Sequence, residues 1–109
     1  MSLQKYATPN ERAIAQRIVD FVLAQECTMS VYDGEEMVVK KSSDRQAILD
    51  ALATTESDII HFHNAAGSRL GWVHLVWGND CDLISDSADN ADTTWLLYDA
   101  ELFADSLLP

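Results

Sequence analysis

The chain is poor in the residues that staple or rigidify a small scaffold, with two cysteines, two prolines and four glycines among 109 residues. Cys27 and Cys81 are too few and too far apart for a disulfide framework, and a reducing compartment keeps them as thiols. No apolar run approaches the roughly 18 residues that a membrane-spanning helix needs. No basic stretch followed by an apolar one opens the chain, so the expectation is a cytoplasmic address without membrane contact. The shortage with most consequence is positive charge: Lys and Arg number 7 against 18 Asp and Glu, a formal net charge of −11. The last cation is Arg69, and it is followed by Asp80, Asp82, Asp86, Asp89, Asp92, Asp99, Glu101 and Asp105. A field of that sign repels nucleic acid and anionic lipid and attracts a basic protein partner or cations.

What the chain does have is apolar content, 48% of residues, enough for one hydrophobic core in a domain of this length. Thr8-Pro9-Asn10-Glu11 has the form of a capping box, and Ile14, Ile18, Phe21 and Val22 then make one apolar stripe of a helix ending near Gln25. Short β-favouring runs, Thr28 to Tyr32 and Met37 to Val39, flank the turn Asp33-Gly34-Glu35-Glu36 and read as a hairpin. Ser43-Asp44-Arg45-Gln46 repeats the capping logic, opening a second helix over 44–54. Asp58 to His63 and Arg69 to Trp77 flank Asn64-Ala65-Ala66-Gly67, a type I turn closed by Gly67 in the left-handed region. Pairing Asn64 with Ser68 then sets Phe62 opposite Leu70 and Ile60 opposite Trp72, and these four are assigned to the core face. Trp77 falls on the other face, as a sheet-face or interface residue.

A last strand is expected around Asp82 to Ser85, followed by a helix capped by Asp92. That helix carries two stripes: Leu96, Ala100, Phe103 and Leu107 form one, and Trp95, Tyr98 and Leu102 form the other. One stripe serves the sheet. The other, or the second face of the sheet, predicts a homodimer. The fold expected is therefore α+β, a single domain over 1–109 in the order α-β-β-α-β-β-β-α. Its sheet of about five largely antiparallel strands has helices on one face.

Candidate chemistry is sparse. His61 and His63 share one face of a strand and are the weak candidates for a metal site, but no third ligand is expected beside them, with Gly71 and Arg69 as neighbours and His74 on the opposite face. Asp80, Asp82, Asp86, Asp89 and Asp92 lack the ligand spacing of a calcium loop. Cys81 lies between Asp80 and Asp82, which raises its thiol pKa and makes it a poor nucleophile. No phosphate-cradling loop, serine elbow or zincin helix is present, so neither catalytic residues nor a cofactor are expected.

Gly71-Trp72-Val73-His74-Leu75-Val76-Trp77-Gly78-Asn79-Asp80, continuing through Ile84-Ser85-Asp86 to Asp89-Asn90, resembles a pattern in small uncharacterised bacterial and phage-encoded proteins. The resemblance implies a compact single-domain protein of phage or prophage derivation and carries no activity. The reading of the whole sequence is a small acidic, non-catalytic interaction protein. Its working surface is Trp77, Asn79, Asp80, Asp82, Asp86, Asp89, Asp92, Trp95, Tyr98 and Leu102. A DNA-mimic or immunity-type inhibitor of a basic nuclease or regulator is the first alternative, and a metal-binding protein or metalloenzyme using His61 and His63 the second.

Overall fold

A computed structural model describes residues 6–108. Thr8 caps helix α1 (Pro9–Ala24) through a complete capping box with Glu11, and the helix buries Ile14, Ala15, Ile18, Val19 and Val22. Strands β1 (Thr28–Tyr32) and β2 (Met37–Ser42) form the expected hairpin. Asp33 Oδ1 holds its turn by accepting the backbone N–H groups of Glu35 and Glu36. Helix α2 (Arg45–Ala51) is capped by Asp44, which accepts from the amides of Gln46 and Ala47. The capping box expected to start at Ser43 does not form: Asp44 is the cap, which leaves Gln46 at the second helical position, where its side chain donates along the helix to Asp50. The helix also stops at Ala51, where Leu52 becomes extended and Ala53 adopts φ 60°.

Strands β3 (Ser57–His63), β4 (Arg69–Val76) and β5 (Ile84–Ser87) precede helix α3 (Ala91–Ser106). All five strands join one antiparallel sheet in the order β2-β1-β3-β4-β5. The helices cover one face of it, giving the α+β order read from the sequence. No helix among the described residues is long and apolar enough to cross a membrane.

The β3–β4 turn forms as expected, with Asn64 N–H donating to the Ser68 carbonyl at 2.9 Å and Gly67 at φ 87°. The register beyond it does not. His63 pairs with Arg69, but Phe62 pairs with Gly71 and Ile60 with Val73, so a bulge absorbs Leu70. Side chains alternate with period two, and this single extra residue turns every later residue of β4 to the opposite face. Val73 and Leu75 therefore join Ile60 and Phe62 in the core, Leu70 packs only at its edge, and Trp72 stands on the face away from the helices. His74, paired with Ile59, shares that face with His61 and His63 instead of opposing them.

Gly71 shows why the shifted register fits. A Cβ built on it would lie 1.7 Å from Thr93 Oγ1 of α3, so only glycine lets this helix approach the sheet so closely. The last strand starts two residues later than expected. The preceding segment 77–83 is drawn instead toward the N-terminus of α1 by the contacts described next.

Candidate functional site

The residues singled out in the sequence are scattered over the fold. Trp77 is buried, with 6% of its surface exposed, and its Nε1 donates to Asp58 Oδ2 at 2.8 Å. It belongs to the core and not to an interface. The expectation of an outward Trp77 fails for the same reason as that of an outward Val73 and Leu75: the bulge at Leu70 turns this side of the chain inward.

Asn79 and Asp80 are committed to the N-terminus of α1. The Glu11 carboxylate is fully buried and accepts the N–H groups of Thr8, Gly78 and Asn79 at 2.8–3.0 Å. Asp80, at φ 55°, accepts from Thr8 Oγ1 at 2.9 Å and from Asn10 Nδ2 at 3.0 Å. Those two donors hold the Asp80 carboxyl below the usual carboxylate range. Beside it, burial and then the Asp80 carboxylate push the Cys81 thiol upward, the direction anticipated from its acidic neighbours. Glycine, asparagine and aspartate in this turn thus act as a clasp between the β4–β5 connection and the capping box.

Asp82 lines a small pocket of about 140 Å³ with Ile14, Cys81, Glu101 and Asp105, between α1, α3 and the β4–β5 connection. Asp86 of β5 pairs with His74 of β4, and Asp89 lies in the connection before α3. Among the described residues no group of three His, Cys, Asp or Glu side chains is placed to hold a metal ion. His63 is tied to Ser30, whose Oγ lies 3.0 Å from its Nε2 and also accepts the Lys41 N–H at 2.9 Å. Burial, followed by Lys41 and Arg69, holds the His63 imidazole below its ordinary pKa. His61 is lowered by burial first and then by Arg69 and His63. The neighbour of His61 is Trp72 and not the expected Gly71.

The remaining residues are on α3. Asn90, rather than Asp92, is its N-cap: its side chain accepts Thr93 N–H at 2.8 Å and donates to the Leu70 carbonyl at 3.1 Å. Asp92 follows as a first-turn acid, favourable to the helix dipole. The inner side of the helix buries Thr93, Leu96, Leu97, Ala100 and Ala104, while Phe103 and Leu107 pack at the edge of the core. The second stripe is open: Trp95 is 53%, Tyr98 61% and Leu102 53% exposed. Ala91, Thr94, Trp95 and Tyr98 line a shallow apolar groove of about 520 Å³. Trp95 is braced from beneath by Phe21, edge to face at 5.2 Å.

Carboxylates surround this stripe. Asp92 and Glu101 stand three residues from Trp95 and Tyr98, and Asp105 three from Leu102, the spacing of adjacent side chains on a helix. The nearby cation, Arg17, is engaged: it grips Asp99 through two bonds of 3.0 and 3.1 Å and lies 4.5 Å over the Phe103 ring. The stripe is therefore apolar, aromatic and negatively rimmed. Comparisons with known protein families, with curated proteins and with solved structures find no match to this chain.

Proposed function

We propose that this chain is a small acidic, non-catalytic interaction protein that docks a basic protein partner on the outer stripe of α3. The observation that carries the reading is the exposure of Trp95, Tyr98 and Leu102 in one row with carboxylates on its flanks. Large exposed side chains in a contiguous row mark a binding surface more often than an accident of composition. Trp and Tyr supply contact energy at the centre of interfaces, while rim charges steer encounter and exclude partners of like charge. The complementary segment has apolar side chains flanked by Lys or Arg. Two acids outside α3 weigh against mimicry of a phosphate row, because Asp80 is bonded to Thr8 and Asn10 at the start of α1 and Asp86 lies on β5 beside His74.

A photocrosslinking residue placed at Thr94, in the groove, tests the reading in cell extract. A basic protein should crosslink to the parent chain and be lost from a Trp95→Ala/Leu102→Ala variant. Crosslinking of the same protein by that variant, or a product that is not basic, overturns it.

A further inference from the structure

We infer that two copies of this chain associate through the face of the sheet away from the helices, with their strands running antiparallel. The inference stands on observations separate from α3. Ile59, Trp72 and Val76 lie on this face, partly buried by their strand neighbours, and none is packed against the hydrophobic core. The bulge at Leu70 brings them together, since without it Trp72 would turn inward. They form an apolar centre in rows shared with Tyr32, His61 and His74, and Asp86 of β5 joins the His74 row on the side nearer the Val76 end.

Charge along the strands selects the occupant. The pairings Thr28 with His63 and His63 with Arg69 define one end of the sheet, where Arg69 and, on β2, Lys40 and Lys41 are exposed. Lys41 stays at that end, its Nζ 3.5 Å from where a Gly67 Cβ would stand. The pairings Tyr32 with Met37 and Ser57 with Val76 define the opposite end, bordered by Asp33, Glu35, Glu36 and Glu56. One face is thus basic at one end, apolar in the middle and acidic at the other. A twofold axis lying between two such faces and crossing the strands sets each basic end over an acidic one. It brings Arg69 of one copy toward the partner's Glu56, and Lys41 toward the partner's Glu36. A twofold axis along the strands would stack like charges, and α3 set against α3 would oppose two acid rims. Self-association by this face therefore leaves both α3 stripes outward.

Sedimentation equilibrium over a range of concentrations tests the proposal. The parent chain should be dimeric, and Trp72→Glu should raise the dissociation constant by about a hundredfold or more, as expected for loss of a central aromatic anchor. Circular dichroism checks that this variant folds, and Ile59→Lys serves the same purpose if it does not. Arg69→Glu and Glu56→Lys should each weaken the dimer by about tenfold, and the double variant should recover most of that loss. A monomer at every concentration overturns the proposal. So does a dimer that survives Trp72→Glu and breaks with Trp95→Glu, or a charge-swapped pair without recovery. Loss of the α3 partner leaves these readouts unchanged, so the two proposals fail separately.

Discussion

The indole of Trp77 and the carboxylate of Asp58 meet inside the core, joined by a 2.8 Å hydrogen bond from Nε1 to Oδ2. The same oxygen accepts the Ala53 N–H at 2.9 Å, which fixes the left-handed turn after α2 against the start of β3. Asp58 Oδ1 is buried without a partner. One oxygen thus does the bonding, and the other makes the ionised form costly. Burial is the first cause of the raised Asp58 pKa, and the hydrogen bonds from Ala53 and Trp77 only partly offset it.

The consequence for stability has a definite sign. A carboxyl whose pKa is higher folded than unfolded favours the fold while protonated. Its contribution is lost as pH rises from the ordinary value near 3.8 through the raised folded value. Asp58→Asn keeps an oxygen for Trp77 and Ala53 and cannot ionise. Urea unfolding at a series of pH values should therefore show the stability of Asp58→Asn relative to the parent increasing across that window. Asp58→Ala instead leaves two buried N–H groups without acceptors and should cost about 2–4 kcal/mol where the parent carboxyl is protonated, a cost that shrinks as pH rises through the same window. A constant difference between parent and Asp58→Asn would remove the assignment.

Glu11 gives a second prediction. Its side chain closes the capping box and also accepts two amides from the β4–β5 turn, 67 and 68 residues away in sequence. Glu11→Ala orphans three N–H groups and should cost about 3 kcal/mol or more in urea unfolding, well above the ~1 kcal/mol of an ordinary lost cap. Hydrogen exchange should localise the effect, with the amides of Gly78 and Asn79 losing protection along with that of Thr8. If only Thr8 responds, the clasp is not formed.

The close approach of Gly71 to Thr93 gives a third. Gly71→Ala forces a Cβ against Thr93 Oγ1 and should destabilise by about 2–3 kcal/mol through overpacking. Thr93 Oγ1 is buried without a hydrogen-bond partner, so Thr93→Ala loses no such bond. The double variant should be clearly more stable than the sum of the single effects predicts. Additive behaviour in a double-mutant cycle would show that the two positions are not in contact.

These three relationships mark where sequence reasoning stopped. The capping of α1 by Thr8, the turn closed by Gly67 and the double stripe on α3 were legible because each depends on residues within a few positions of one another. Trp77 as the partner of Asp58, and Gly78 and Asn79 as partners of Glu11, lie far away in sequence, and no local pattern announces them. The register of β4 is an intermediate case. Gly71 within an otherwise bulky strand is the kind of signal that accompanies a bulge or a close backbone approach, and it was available. Reading the turn alone placed Trp72 inward and Val73 outward, an error of one residue that inverted a whole face.

The outer stripe of α3 makes a prediction that separates binding from folding. Tyr98 and Leu102 are 61% and 53% exposed, so replacing either with serine removes little packing and should change stability by no more than about 0.5 kcal/mol. Trp95 also touches Phe21, and Trp95→Ser should cost about 1 kcal/mol for that edge contact. Leu96, one residue from Trp95 and 1% exposed, is the internal control: Leu96→Ala should cost about 3 kcal/mol through the cavity it leaves. Thermal or urea unfolding of the four variants should rank Leu96 far above Trp95, and Trp95 above Tyr98 and Leu102. Large losses at Tyr98 and Leu102 would mean that the stripe is packed within the chain itself. A flat response at these two positions leaves their apolar surface without a structural use inside one copy, which is the condition a docking surface requires.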